Sequence, residues 1–543
     1  MTQDISNWTL TGLLQRQAEA QGEREFMSFE HGTSLSFASL HADSNRLARN
    51  LASLGVTPGD RVMVMPKNRI EFMLAMFAIM KLGAIFVLVN TELKGAFLSH
   101  QMRNAEPCMV FLDHDLRDAF DAVQGGNDNL ASVIYVAGHV PKERPAVFAD
   151  AEAMTFENLF ALAGTTDDVI VTAEPQDIAC IMYTSGTTGP SKGVLMPHAH
   201  CYLFGHGMAR TMAMTEKDCQ YVCMPLFHAM GLLLQVVSSL ITGSKVFCIE
   251  RFSPARWLDD VRESGATVTN ALGVIPEFIF RTPESEYDRD HKLRVVVAVP
   301  IAAEWGEAME KRFGFKFMQA YGMTEVNIPC YTSEADPLLP GMAGHVIDDF
   351  FEVRVVDAET DAVMAQGEIG EIVVRPKVPF CFNQGYFRME ERTVEAWRNL
   401  WFHSGDAGYF DEQGRLFYAD RIRDRIRRRG ENISSFEIEQ VLNDHPDVQE
   451  SAVVGIRVEG AGGEDEVKAY IVTARGEDID NVALLDYCAV NIPRFAVPRY
   501  VEAVEEVPKT ATGKIQKEPL RQAGVTNRTW DRESVGYKIA RRV

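Results

Sequence analysis

The sequence predicts an α/β fold: a large N-terminal domain of mixed sheets flanked by helices, a small β-barrel-like part within it, and a small C-terminal α+β domain. Three observations predict it. Segments of helical period alternate with short apolar, β-rich runs through most of the chain. After about Pro340 the pattern changes to β-like runs punctuated by Gly341, Gly344, Gly367, Gly370 and Gly385. An arginine-dense stretch, Arg421 to Arg429, then precedes a compact βαβ-type pattern that reaches about Leu520. The domains so defined are 1–422, with the barrel-like part at about 340–420, and 423–543.

Each element has a local reason. Ser36 to Leu54 reads as an amphipathic helix stopped by Gly55; Asp60 to Met65 as a strand, Glu71 to Leu82 as a helix and Ala84 to Val89 as the next strand. The longest apolar stretch, Phe72 to Val89, is broken by Lys81 and Gly83. A lysine near the middle of a membrane span costs about 2.5 to 3.5 kcal/mol, so the stretch reads as a buried helix followed by a buried strand. The alternation recurs from Val194 to Gly207, at Tyr221 to Met224, Leu232 to Thr242 and Lys245 to Ile249, and again from Ala266 to Arg281 and Leu293 to Phe317. Phe351 to Val356 and Glu371 to Arg375 read as strands of the barrel-like part.

Composition narrows the functional classes. The 543 residues are 46% hydrophobic and 24% charged, the balance of an ordinary globular chain. A net charge of -22 repels nucleic acid and anionic membrane surfaces. Nine cysteines scattered singly, with only Cys219 and Cys223 close together, imply reduced thiols and a cytoplasmic address. The stretch Met1 to Leu10 has neither the basic start nor the apolar run of a signal peptide. The six arginines of 421–429 form no simple nucleic-acid patch, because Asp420 and Asp424 interrupt them and Ile422 and Ile426 lie among them.

The strongest chemical signal is Tyr183-Thr184-Ser185-Gly186-Thr187-Thr188-Gly189-Pro190-Ser191-Lys192-Gly193-Val194, directly after the apolar strand Ile178 to Met182. Glycines let the backbone approach an anion, hydroxyls add donors and Lys192 supplies a mobile positive charge, so the segment reads as a triphosphate cradle. It is not a Walker A loop, since Ser191 stands where that motif needs glycine before its lysine. Gln319-Ala320-Tyr321-Gly322-Met323-Thr324-Glu325 combines an aromatic face, a turn, a hydroxyl and a carboxylate. Trp401-Phe402-His403-Ser404-Gly405-Asp406 ends on a carboxylate suited to accepting two hydroxyl protons, and Pro508 to Ile515 sets Lys514 on a glycine-bearing loop.

In this order the motifs resemble the adenylate-forming superfamily, which includes acyl- and aryl-CoA synthetases, luciferases and peptide-synthetase adenylation domains; the resemblance runs from about Leu10 to Arg521. It implies that Thr184, Ser185, Gly186, Thr187, Thr188, Gly189 and Lys192 hold the phosphates of ATP. Ala320, Tyr321 and Gly322 would face the adenine, with Tyr321 stacking on it, while Thr324 contacts the α-phosphate and Glu325 holds Mg²⁺ with Thr184 as a second ligand. Asp406 and Arg421 would bind the ribose or a phosphate. Arg423 would be the hinge of a mobile C-terminal domain, and the loop Gly430-Glu431-Asn432-Ile433-Ser434 would swing toward the coenzyme A channel. Lys514 would be the catalytic lysine and His228, in Met224-Pro225-Leu226-Phe227-His228, the gate between acid and thiol.

The activity implied is ATP-dependent acid:CoA ligation through an acyl-adenylate, with ATP, Mg²⁺ and coenzyme A required and a small carboxylic acid as the other partner. Loading of a carrier protein is the alternative within the superfamily, and an ATP phosphotransferase or ATPase the alternative outside it. Neither nucleic acid nor a membrane span is expected; a homodimer is an open assembly. Val299, Ile301, Asn327 and Ile328 are expected to line an apolar acid site. Two departures from the family pattern, Val297-Ala298-Val299-Pro300 and Ala320, bear on that wall. Asp420-Arg421 and the Gly430 to Ser434 segment resemble the crotonobetaine/carnitine-CoA ligase branch.

Overall fold

The computed structural model describes residues 4–123, 128–165, 169–184, 190–272, 275–299, 301, 306–339, 341–421, 425–428, 431–458, 464–474, 479–508, 515 and 517–539. Two seven-stranded sheets form most of it. In one, Glu152–Thr155, Ser132–Val136, Met109–Asp113, Arg61–Met65, Ile85–Leu88 and Ile178–Thr184 run parallel in that spatial order, and Lys192–Pro197 closes the edge antiparallel. In the other, Lys316–Met318, Val295–Val299, Val268–Leu272, Cys219–Val222, Lys245–Cys248 and Glu25–Phe29 run parallel and Ser34–Ser36 is the antiparallel edge. Runs such as Val-Val-Val-Ala-Val at 295–299 suit strands covered on both faces.

Helices packed between the two sheets close one core. The helix Ile70–Lys81 buries every residue from Phe72 onward, which a helix apolar all round requires. It shares a cluster with Val62, Val64 and Phe86 of one sheet and Val222, Val246 and Val268 of the other. The apolar stretch of 72–89 is therefore a buried helix and a buried strand, and among the described residues no helix is long and apolar enough to cross a membrane. The preceding helix, Phe37–Ser53, starts on a reciprocal cap between Ser36 and Ser39, and Gly55 just beyond its end takes a φ of 89°. Lys81 stays buried, at 2% exposure, by donating to the His41 carbonyl (2.9 Å), Ser44 Oγ (2.8 Å) and Asn45 Oδ1 (2.6 Å) on that neighbouring helix.

The antiparallel part is an eight-stranded sheet spanning Ala320–Met323 to Leu416–Arg421. It begins earlier than the glycine punctuation indicates, because Ala320–Met323 forms a hairpin with Asn327–Tyr331, which pairs in turn with Met342–Val346. Phe351–Val356 and Gly370–Pro376 pair side by side within it.

Beyond it lie the hairpin Arg425–Arg428 and Glu431–Ser434 and a four-stranded sheet of Val448–Arg457, Asp465–Thr473, Tyr500–Ala503 and Trp530–Asp531. Arg428, in the arginine-dense run, is buried and donates to the carbonyls of Phe495 and Val497 while pairing with Glu466. Part of that basic run is thus structural. Ile433, Ile438, Leu485 and Ile492 of this region continue one apolar cluster with Leu93, Phe97 and Leu98 of the first sheet's flank.

Candidate active site

The two ends of the predicted phosphate cradle lie on paired strands. Ile178–Thr184 pairs antiparallel with Lys192–Pro197, with Thr184 opposite Lys192. Both side chains therefore emerge at one end of the sheet; Ser185, Gly186, Thr187, Thr188 and Gly189 lie outside the described residues. A third segment runs along the outer edge: Leu195 N donates to the Gly385 carbonyl, Gln384 N to the Leu195 carbonyl and Phe387 N to the Gly193 carbonyl.

That pairing brings Tyr386 beside Lys192. The lysine Nζ lies 3.1 Å from the phenol oxygen and 4.2 Å from the ring centroid. The phenol donates to Glu325 Oε1 (3.2 Å), which also accepts from Thr184 Oγ1 (2.9 Å). Glu325 is 1% exposed, and its other oxygen, Oε2, is buried without a hydrogen-bond partner among the described residues. Such an oxygen is costly to leave unsatisfied, and a hard, oxygen-seeking cation suits it. Among the described residues no group of three or more His, Cys, Asp or Glu could hold a metal. A single carboxylate with a neighbouring hydroxyl matches Mg²⁺, which keeps waters and shares phosphate oxygens.

The backbone around Glu325 is braced from two sides. His200, on the helix His198–Thr211, donates from Nε2 to the Thr324 carbonyl (3.0 Å), and Asn383 Nδ2 donates to the Glu325 carbonyl (2.8 Å). Burial drives the His200 pKa down to about 4, so the ring is neutral, and its Nδ1 lies 3.3 Å from both Asn327 Nδ2 and the Cys381 carbonyl oxygen. Gly322 is required here, because a Cβ would run into the Asn327 carbonyl oxygen. His200, Asn383 and Tyr386 were not legible as site residues. The one local signal, Asn383-Gln384-Gly385-Tyr386, joins turn-forming residues to a phenol.

The ribose candidates also meet. Tyr321 donates its phenolic proton to Asp406 Oδ2 (3.0 Å), and Asp406 pairs with Arg421 across adjacent strands. Burial, reinforced by Asp406, raises the Tyr321 pKa well above its ordinary value, so it remains a donor. The turn before Asp406 is held by Gly405 N donating to Glu371 Oε1 (3.0 Å) and Asp406 N donating to Ser404 Oγ (3.1 Å). The side chains of Arg421 and Asn432, and Arg423, Gly430 and Lys514 entirely, lie outside the described residues.

His228 faces Glu431 from the C-terminal region, with 3.2 Å between Nε2 and Oε1, while Glu431 Oε2 accepts from Asn90 Nδ2 (3.4 Å). Burial works against a charged ring, yet the Glu431 carboxylate more than offsets it and holds the His228 pKa above its usual range. Of the residues expected to line the acid site, Ile301 and Ile328 fall in separate apolar clusters. Of Val299, Ile301, Asn327 and Ile328, only Val299 is half-buried; the others are buried. Ile301 packs with Met309 and Phe315 on one side of the sheet, Ile328 joins Val297 on the other, and the Asn327 amide turns to His200.

Fold and site together are those of an adenylate-forming enzyme. Residues 14–387 match the family model of AMP-binding enzymes and residues 437–514 that of the AMP-binding enzyme C-terminal domain, so the chain belongs to this family. Crotonobetaine/carnitine–CoA ligase of Salmonella paratyphi A is 29% identical over 510 residues, which cover 93% of this chain and 97% of that one. A double mutant of o-succinylbenzoate CoA synthetase (MenE) from Bacillus subtilis, bound to its product analogue OSB-NCoA, superposes with a TM-score of 0.80 at 26% identity, covering 95% of this chain and 98% of that one. MenE in complex with AMP gives a TM-score of 0.65 at 26% identity, covering 95% and 97%.

Proposed function

We propose that this chain is an ATP-dependent acid:CoA ligase that works in two half-reactions and exchanges its catalytic face between them. In the first, the substrate carboxylate attacks the α-phosphorus, the bond to the β-phosphate breaks and pyrophosphate leaves. Carboxylate and phosphate carry the same sign, so Lys514 reaching both, and Lys192 beside the departing phosphates, offset their repulsion. Thr324 contacts the α-phosphate, Asp406 and Arg421 take the ribose hydroxyls, and Tyr321 covers the adenine. Glu325 and Thr184 would hold Mg²⁺, which supplies neutralising charge to the phosphates.

In the second half-reaction the region beyond about residue 423 rotates on Arg423, withdraws Lys514 and presents Gly430, Glu431 and Asn432. The thiolate of coenzyme A attacks the acyl carbon and AMP leaves. The His228–Glu431 contact carries this reading: it sets Glu431, from beyond residue 423, against His228. The greater likeness to MenE in its complex with a CoA-product analogue than in its AMP complex supports the same orientation.

The test is a pyrophosphate-release screen with Mg²⁺, ATP and short, medium, branched, aromatic and carnitine-like acids, followed by addition of coenzyme A. Acid-dependent ATP–pyrophosphate exchange and a CoA thioester are expected; orthophosphate release overturns the reading, and transfer only to a carrier protein replaces the thiol acceptor. A cytoplasmic address belongs to the same proposal, supported by nine unbridged cysteines, and is read by fractionation. The homodimer is read by sedimentation.

A further inference from the structure

Ser191 and Glu437 are 246 positions apart, yet Glu437 Oε1 accepts the Ser191 backbone N–H at 3.0 Å. Ser191 immediately precedes Lys192 in the phosphate cradle, and its own carbonyl accepts from His100 Nε2 (2.7 Å). Ser191 is therefore held at both its N–H and its carbonyl. Glu437 lies on the helix Ser435–Asn443, which is fixed within the C-terminal region: Lys517 bonds both Ser435 Oγ (2.7 Å) and Glu439 Oε1 (2.6 Å), and Glu439 accepts the Val453 N–H. Ser435 and Glu439 face their own sheet, whereas Glu437, at 5% exposure, reaches the cradle.

We propose that Glu437 is a positioning residue of the thiol-transfer step, docking the C-terminal region on the phosphate cradle through the Ser191 N–H in an orientation that excludes pyrophosphate. This rests on the ligase reading above. A carboxyl group and a phosphate both offer oxygen acceptors, and one N–H cannot point fully at two of them. Burial pushes the Glu437 pKa up to about 8, against the Ser191 N–H, which favours the ionised form. Docking also needs Gly95: it takes a φ of 57°, and a Cβ there would run into the Asn491 carbonyl oxygen across the same interface, where Lys94 donates to the Ala489 carbonyl.

Calorimetric titration of the full chain with imidodiphosphate and Mg²⁺ tests the competition. Removing the rival acceptor in Glu437→Ala tightens imidodiphosphate binding about fivefold, the worth of one net hydrogen bond. Glu437→Gln, whose amide oxygen still accepts the N–H, binds like the unaltered chain. Gly95→Ala tightens binding as well, since it blocks docking at a separate contact. Hydrogen exchange of the unaltered chain rises across 435–443 when imidodiphosphate is added. Unchanged or weaker binding by Glu437→Ala, loss of the difference between Ala and Gln, an unaltered affinity in Gly95→Ala, or a static exchange pattern overturns the proposal. None of these measurements needs acid or coenzyme A, so they are separate from the ligase reading, which acid-dependent pyrophosphate exchange decides.

Discussion

The Tyr386 phenol donates to Glu325 Oε1 across 3.2 Å while itself accepting from Lys192 Nζ, which places one hydroxyl between the cation and the carboxylate of the phosphate site. Glu325 Oε2 is left buried without a hydrogen-bond partner among the described residues. Tyr386→Phe keeps the ring against Lys192 and removes only this bridge. The Mg²⁺ concentration for half-maximal ATP–pyrophosphate exchange should rise about fivefold and the exchange rate fall up to about tenfold, the range of one net hydrogen bond. An unchanged Mg²⁺ requirement would mean that Tyr386 does not orient Glu325.

Asp406 is held by the Tyr321 hydroxyl on one side and by its strand pairing with Arg421 on the other. On the proposed role Asp406→Ala removes a bidentate acceptor for ribose and should raise KM for ATP at least about tenfold. Tyr321→Phe leaves the carboxylate in place and should raise KM less. Steady-state kinetics at saturating acid separate the two variants, and equal effects would remove Asp406 from direct ribose contact.

His228 titrates above its ordinary value because Glu431 outweighs the effect of burial. Glu431→Gln keeps the shape and an acceptor but removes the charge, so the His228 midpoint should move to lower pH. Histidine ring signals in nitrogen-edited NMR across pH 5 to 9 report it directly. A midpoint that stays in place would show that the two groups do not face each other in solution.

Lys81 has a pKa lowered to about 7, by burial first and by Arg49 second. In the unfolded chain a lysine titrates near 10.5, so between about 7 and 10.5 the unfolded state binds more protons than the folded one. Folding stability should therefore rise as pH increases through that window, by on the order of 1–2 kcal/mol between pH 7 and 9. Lys81→Met should flatten the slope in urea denaturation series. A slope retained in the variant would assign the effect to other groups.

The residues of the candidate site were picked out along the chain because their chemistry sits in short runs. Lys192 stands among glycines and hydroxyls, Glu325 follows Tyr-Gly-Met-Thr, and Asp406 follows Ser-Gly, each run carrying its own turn. The helix at 70–81 and the strands beside it were legible for a similar reason, since periodicity over a dozen residues reports burial. The acid-site wall was not: successive residues of Val295–Val299 face opposite sides of a buried sheet, and apolar character alone does not say which side.

Chain order alone determined the α/β class, the run of nucleotide motifs and the residue types that phosphate chemistry demands, because these depend on near neighbours. Only folding decided that Tyr386, 61 positions from Glu325 and 194 from Lys192, meets both side chains, or that Glu437 meets Ser191. It likewise paired Glu25–Phe29 with Lys245–Cys248. Those partners are chosen by strand pairing and by packing across a shared core, whose hydrogen bonds join any two backbones brought side by side and so leave no trace in local sequence.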